Sequence, residues 1–276
     1  FGMYKKLSNE FSGALTGKGL NWGGSLIRAQ AAGYGCVYFA AEMLATRNMT
    51  FDGQVCLVSG SGNVAQHTAE KLIDLGARVV TLSDSAGYIY DPDGIDKTKL
   101  AFVKRLKNFR RGRIEEYIDN YPAAVFTQVD LSHHNNPLWT HRASCAFPCA
   151  TQNEITEEDA YALINNNVKL ICEGANMPCT PEAAAIFLRK PILYAPGKAA
   201  NAGGVSVSGL EMTQNSMRLA WTREEVDNRL KMIMKSIHQT SLEAAEQYGT
   251  PGNYVNGANI AGFVKVVDAM LDQGLV

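Results

Sequence analysis

The spacing of apolar and polar positions changes several times along the chain. Residues 31–44 are almost all small or apolar, which predicts a helix packed closely on its neighbours. A short apolar run at 55–58 predicts a buried strand, a helical period over 63–75 stops at Gly76, and 78–82 predicts a second strand. Strand, helix and strand so close together form a βαβ unit, which implies a parallel sheet with right-handed crossovers. Further on, 96–108 and 114–120 read as helices, 145–147 as a short strand, and 157–165 as a helix begun by Thr156. Residues 169–172 and 192–194 predict two more strands. The pattern then changes: 204–221, 223–248 and 257–273 read as helices with no strand between them, and Thr222 with Glu225 forms a capping box. Residues 132–142, SHHNNPLWTHR, read as an irregular insertion, and no internal repeat is visible.

Composition narrows the class without naming a function. The chain has 276 residues, enough for one large domain or two unequal ones. Its formal charge of −1 shows no global bias toward nucleic acid or an anionic membrane, so any charged site must be local. Six cysteines contain no CxxC pair, and four lie in or beside apolar runs, which favours reduced, buried thiols and a cytoplasmic setting over a disulfide framework or a zinc site. No apolar run approaches the ~20 residues that span a bilayer. The five histidines show no ligand spacing, and His133-His134 sits in a polar loop, so no metal site is expected. The opening FGMYKKLSNEFSG reads as an amphipathic piece of a longer element.

The most informative stretch is Gly60-Ser61-Gly62-Asn63-Val64-Ala65, a GxGxxA pattern between a predicted strand and a predicted helix. The first glycine permits a tight turn, the second lets a pyrophosphate approach the backbone, and Ala65 allows close helix–sheet packing. The helix then offers free N–H groups and its positive dipole end to phosphates. The competing reading is a tight connection with small residues for packing. Asp84 lies at the end of the next strand, where a carboxylate accepts from a ribose 2′-OH and favours NAD. KRLKNFRRGR at 104–113 has six basic residues in ten, and Lys107 and Arg113 with Ser83 could instead receive the 2′-phosphate of NADP. By chemistry alone the two cofactors are evenly matched.

Longer motifs add a resemblance. KGLNWGGSLIR, GYG, SGSGNVAQ, PCATQNE, EGANMP, PGKAANAGGVSVSGLEM and NGANIAGFVKVVDAM together resemble the hexameric short-subunit glutamate dehydrogenases, over nearly the whole chain. The resemblance implies an α/β chain: a Rossmann-like nucleotide-binding domain with C-terminal helices returning to a truncated second domain. On that pattern residues 1–23 end a substrate and oligomerisation domain, 24–251 form the dinucleotide domain, and 252–276 are the returning helix. It also implies reversible NAD(P)-dependent conversion of glutamate to 2-oxoglutarate and ammonium by a homohexamer. The family's catalytic lysine and aspartate belong to a preceding segment. Lys18 in TGKG and Lys198 in PGKAANAGG lack that context and read as structural or closure residues. This chain alone is therefore expected to bind cofactor without turning over glutamate.

Carried over by motif, Gly60, Ser61, Gly62, Asn63 and Val64 would hold the dinucleotide, with Asn63 toward the nicotinamide end. Ala150, Thr151 and Gln152 would touch it from the other wall, and Asn176 and Asn201 would lie near the nicotinamide and its ribose. Val205 would pack on the substrate's aliphatic stem and Ser208 would bond its side-chain carboxylate. Ala32 stands where the family commonly has a threonine facing the carboxamide. The SDS stretch and the basic helix end tilt the resemblance toward NADP. A noncatalytic dinucleotide-binding module that regulates or oligomerises a partner is the alternative; a leucine or phenylalanine dehydrogenase is disfavoured because Ser208 places a polar group where an apolar side chain needs none.

Overall fold

The computed structural model describes residues 1–130 and 135–274. Its first half contains helices α1 (Gly2–Ser8), α2 (Ala31–Ala45), α3 (Asn63–Asp74) and α4 (Lys97–Arg105), with strands β1 (Val55–Val58), β2 (Arg78–Val79), β3 (Thr81–Asp84), β4 (Gly87–Tyr90) and β5 (Val125–Gln128). The second half contains β6 (Cys145–Phe147), α5 (Glu157–Asn165), β7 (Leu170–Cys172), α6 (Pro181–Leu188), β8 (Leu193–Ala195), α7 (Gly197–Ala200), α8 (Gly203–Met217), α9 (Arg223–Gln247) and α10 (Tyr254–Gln273).

The short apolar runs assemble into one parallel sheet in the order β2-β1-β6-β7-β8. Side chains alternate across it, so Cys56 and Val58 join the core that contains α2 and α3 while Leu57 joins the core under α5 and α6. Burial on both faces explains why these strands read as unbroken apolar runs. α2 lies deep in the first core, and a Cβ added at Gly203 would sit 2.1 Å from the Ala31 carbonyl oxygen. α2 and α8 therefore cross backbone against backbone. The architecture is the expected α/β, Rossmann-like one, with α9 and α10 packed together at the end.

The strand expected over 78–82 divides. Arg78–Val79 stay beside β1, and the chain then leaves to form an antiparallel sheet β3-β4-β5. Thr81 replaces the missing rung: Val58 N donates to its hydroxyl at 2.9 Å, and the hydroxyl donates to Val58 O at 3.0 Å. Neither β4 nor β5 was expected from the sequence. The helix expected over 96–108 becomes α4 plus a π-helical turn, Leu106–Arg110, and 114–120 contracts to a 3-10 turn, Ile114–Tyr117. α8 stops at Met217 rather than at 221, because Gln214 Oε1 accepts from Trp221 N at 2.9 Å and turns the chain away. α10 begins three residues early, capped by Asn253. The capping box of α9 forms as expected.

The insertion is less irregular than its sequence. Pro137–Thr140 form a 3-10 turn that buries Leu138 and Trp139 completely. His133 and His134 lie outside the described residues. All six cysteines are free and buried, as expected. Among the described residues, no helix is long and apolar enough to cross a membrane, and no cluster of side chains is suited to a metal ion.

Candidate functional site

β1 has β2 on one side and β6 on the other, so its two neighbours are reached in opposite directions. Such a switch point opens a crevice beyond the carboxyl ends of the strands. Here the crevice is walled by the turn after β1 and the loop after β6. Gly60 has φ +80°, and a Cβ there would lie 2.9 Å from Cys149 O, so only glycine fits between turn and loop. Gly62 faces open space, with nothing within 4 Å of a Cβ position. As the N-cap of α3 it provides no side-chain acceptor for the first helical amides. Open space beside uncapped amides makes a cradle for an anion.

Two adjoining cavities follow from this turn. The first, about 720 Å³, contains Gly60, Ser61, Gly62, Asn63 and Val64 at one end and Ser83, Asp84, Lys107 and Arg113 at the other. Asp84 is already occupied: Oδ2 accepts from Lys107 Nζ at 2.8 Å and Ile114 N at 2.9 Å, and Oδ1 accepts from Ala86 N at 2.9 Å. Burial pushes its carboxyl up, but these hydrogen bonds outweigh burial and hold the pKa below the ordinary aspartate value. Lys107 thus cancels the Asp84 charge, and Arg113 remains as a surplus cation. Arg113 donates to Ser85 Oγ at 2.6 Å. The buried Oγ of Ser83 accepts from Gly60 N at 2.6 Å and braces the glycine turn.

The second cavity, about 650 Å³, is lined by Ala32, Gln152, Asn176, Asn201, Val205 and Ser208. It shares Val64, Cys149, Ala150 and Thr151 with the first, so the two form one groove. Asn201 Nδ2 donates to Asn176 Oδ1 at 2.7 Å, which fixes both amides and leaves Asn176 Nδ2 and Asn201 Oδ1 for other partners. Ser208 is buried and accepts from Thr16 Oγ1 at 3.1 Å, while Val205 is exposed to the groove. Asn63 lines the first cavity, and its Nδ2 donates to Ala29 O at 2.6 Å rather than facing the second. The two lysines set aside from catalysis are engaged elsewhere. Lys18 Nζ pairs with Glu211 at 2.7 Å in a buried contact, and Lys198 Nζ donates to Asn259 on α10 at 2.6 Å.

Several residues of the groove were not singled out in the sequence, Ser85, Arg28 and Glu154 among them. Ser85 is adjacent to a recognised pair, and Arg28 lines the second cavity with its Nε buried and unpartnered among the described residues. Glu154 lines the first cavity and holds the shared wall, accepting from Ala150 N at 2.9 Å and Thr151 N at 3.3 Å. An acidic residue closing PCATQNE was the only signal for it.

Comparison with known proteins agrees with this geometry. Residues 23–274 match the model of the family described as Glutamate/Leucine/Phenylalanine/Valine dehydrogenase. A glutamate dehydrogenase of Bacteroides thetaiotaomicron is 57% identical over 280 residues, covering 100% of this chain and 61% of that protein. An NADP-specific glutamate dehydrogenase of Giardia intestinalis is 51% identical over 276 residues, with 100% and 61% covered. The crystal structure of Plasmodium falciparum glutamate dehydrogenase superposes with a TM-score of 0.95 at 45% identity, covering 100% of this chain and 58% of that one. The chain thus spans about three fifths of the length of the relatives it matches.

Proposed function

The chain belongs to the Glutamate/Leucine/Phenylalanine/Valine dehydrogenase family, and on that premise we propose that it is the nucleotide-binding portion of an NADP-preferring glutamate dehydrogenase. The whole enzyme would interconvert L-glutamate with 2-oxoglutarate and ammonium. The observation that carries this reading is the single groove running from the Lys107–Arg113 end, past the open amides of α3, to Ser208. Its residues fit a dinucleotide: Gly62 leaves room for the pyrophosphate, and Ser85 with Arg113 provides donors for a 2′-phosphate. Because Asp84 already accepts from three donors, its preference for a ribose 2′-OH is weakened, and NADP is favoured with NAD possible. When bound, the nicotinamide would accept or donate the hydride.

The chain's own groups bind and orient. Asn176 and Asn201 would present amide donor and acceptor to the carboxamide and ribose, with Ala150, Thr151 and Gln152 opposite and Ala32 leaving the carboxamide one hydroxyl short. Val205 would contact the substrate's aliphatic stem, and Ser208 its carboxylate, with the unpaired edge of Arg28 as the cation nearest that end of the groove. We assign no catalytic acid or base within these residues, since Lys18 and Lys198 are both committed to structural contacts. We also propose the division at residues 1–23, 24–251 and 252–276, a homohexameric full-length protein, and a cytoplasmic setting supported by six unbonded thiols. The test is to titrate NADP and NAD into the purified 276-residue chain and to assay it with glutamate. Saturable NADP binding without NADPH formation is expected; turnover above a no-enzyme blank would overturn the assignment of catalysis to other residues.

A further inference from the structure

The wall shared by the two cavities depends on one acidic side chain. Residues 148–153 follow β6 and cross in front of the glycine turn, and Cys149, Ala150 and Thr151 face both cavities. The loop's backbone is tied at several points: Pro148 O accepts from Gly174 N and Ala175 N, Cys149 N donates to Ser59 Oγ, and Asn153 N donates to Met177 O. Among the described residues, the amides of Ala150 and Thr151, which line both cavities, donate to Glu154 Oε1 alone. Glu154 therefore holds the two groove-lining amides of the loop, while Cys149 N ties the same loop to Ser59 at the start of the glycine turn.

This clamp stands in an unusual electrostatic position. A cavity whose cations and open amides suit an anion also holds this carboxylate, and among the described residues Glu154 makes no ion pair. The neighbouring groups give it no compensation. Asp159 on α5 is a second acid, Cys149 and Cys179 are neutral thiols, and the cations across the cavity are engaged, Lys107 with Asp84 and Arg113 with Ser85. Burial of the Glu154 carboxyl in the cavity wall raises its pKa to about 7, against the hydrogen bonds from Ala150 and Thr151.

We propose that Glu154 is a positioning residue that is neutral when the dinucleotide is bound, so that cofactor binding takes up a proton at this carboxyl. The proposal rests on the reading of the groove as a dinucleotide site. Protonation leaves the clamp in place, because Oε1 of a neutral carboxyl still accepts from Ala150 N and Thr151 N. It removes the repulsion between a carboxylate and the incoming diphosphate. The balance is simple: one proton passes from solvent to Oε2 as the ligand enters, and none is transferred to the ligand. Affinity should accordingly fall as pH rises through the pKa of the free protein, by roughly fivefold from pH 7 to pH 8.

Isothermal titration of the whole chain in two buffers of different ionisation enthalpy reads this directly. ADP-ribose is the decisive probe, since it keeps the diphosphate and lacks the titrating 2′-phosphate, and NADP serves as the comparison. At pH 7 the wild-type chain should take up about half a proton per ADP-ribose. Glu154→Gln should take up none and bind with an affinity that is flat from pH 6.5 to 8.5, roughly tenfold tighter than wild type at pH 8. Glu154→Ala, which removes the acceptor, should bind several-fold more weakly than Glu154→Gln at every pH. Wild-type binding without proton uptake, or uptake that persists in Glu154→Gln, overturns the proposal and leaves the cofactor reading standing. A chain that binds neither ligand overturns both.

Discussion

The two ends of the groove are built on different principles. At the Lys107–Arg113 end the charged groups are held in place in advance: Asp84 holds Lys107 and two backbone amides, and Arg113, the surplus cation, reaches the Ser85 hydroxyl. The other end of the groove is lined, beside Arg28, by neutral amides and a hydroxyl. They are fixed by one another, as in Asn201–Asn176, or by a distant part of the chain, as in Thr16–Ser208. The first end is local to the hairpin and the turns beside it, whereas the second depends on the N-terminal residues staying docked on α8. Cofactor selection and substrate-end integrity should therefore be separable by mutation.

The strongest way to break that separation acts at Lys18. Its side chain and that of Glu211 are 3% and 0% exposed, and Glu211 also accepts from the amides of Gly17 and Lys18. Lys18→Met would leave a buried, uncompensated carboxylate, and about 3–5 kcal/mol of stability should be lost in urea unfolding. NADP affinity of the remaining folded protein should change less than twofold; a parallel loss would mean that the two ends are not independent. At the opposite end, Lys107→Ala combined with Arg113→Ala should weaken NADP by about 10- to 100-fold, as expected for charge-assisted hydrogen bonds of about 1.5–3 kcal/mol. NAD should weaken less than threefold, and equal losses measured by fluorescence titration would remove the basis for an NADP preference. The smallest effect is expected for Ser208→Ala. It should leave NADP affinity unchanged and cost about 1 kcal/mol or less in thermal unfolding, the contribution of the Thr16 hydrogen bond.

The same contrast governs what the sequence reveals. The glycine turn is legible because its signal is contiguous: a short apolar run, GxGxxA and a helical period follow one another without needing any tertiary contact. Long motifs also locate the second cavity, although they do not show that Asn63 is held by Ala29 or that Asn201 holds Asn176. β4 and β5 are hidden because they stabilise each other in a small antiparallel sheet, and neither has a strong local pattern. Ser83 and Ser85 flank the same aspartate and are indistinguishable in sequence. Strand direction separates them, sending Ser83 back to the Gly60 amide and Ser85 outward to Arg113. Glu154 was missed for a similar reason, since its partners are backbone amides that leave no trace in composition.

Thr81 has a consequence for how such a groove can diversify. By satisfying both backbone groups of Val58 with one hydroxyl, it ends the parallel ladder cleanly and releases the chain into the hairpin that carries Asp84 and Ser85. Beyond residue 81 the hairpin stays tied to the glycine turn through Ser83, whose N donates to Gly60 O and whose Oγ accepts from Gly60 N, while Asp84 and Ser85 lie past that tie. Exchanges at the two outer positions therefore leave the backbone ties of the sheet and of its glycine turn untouched, whereas an exchange at Ser83 removes one of them.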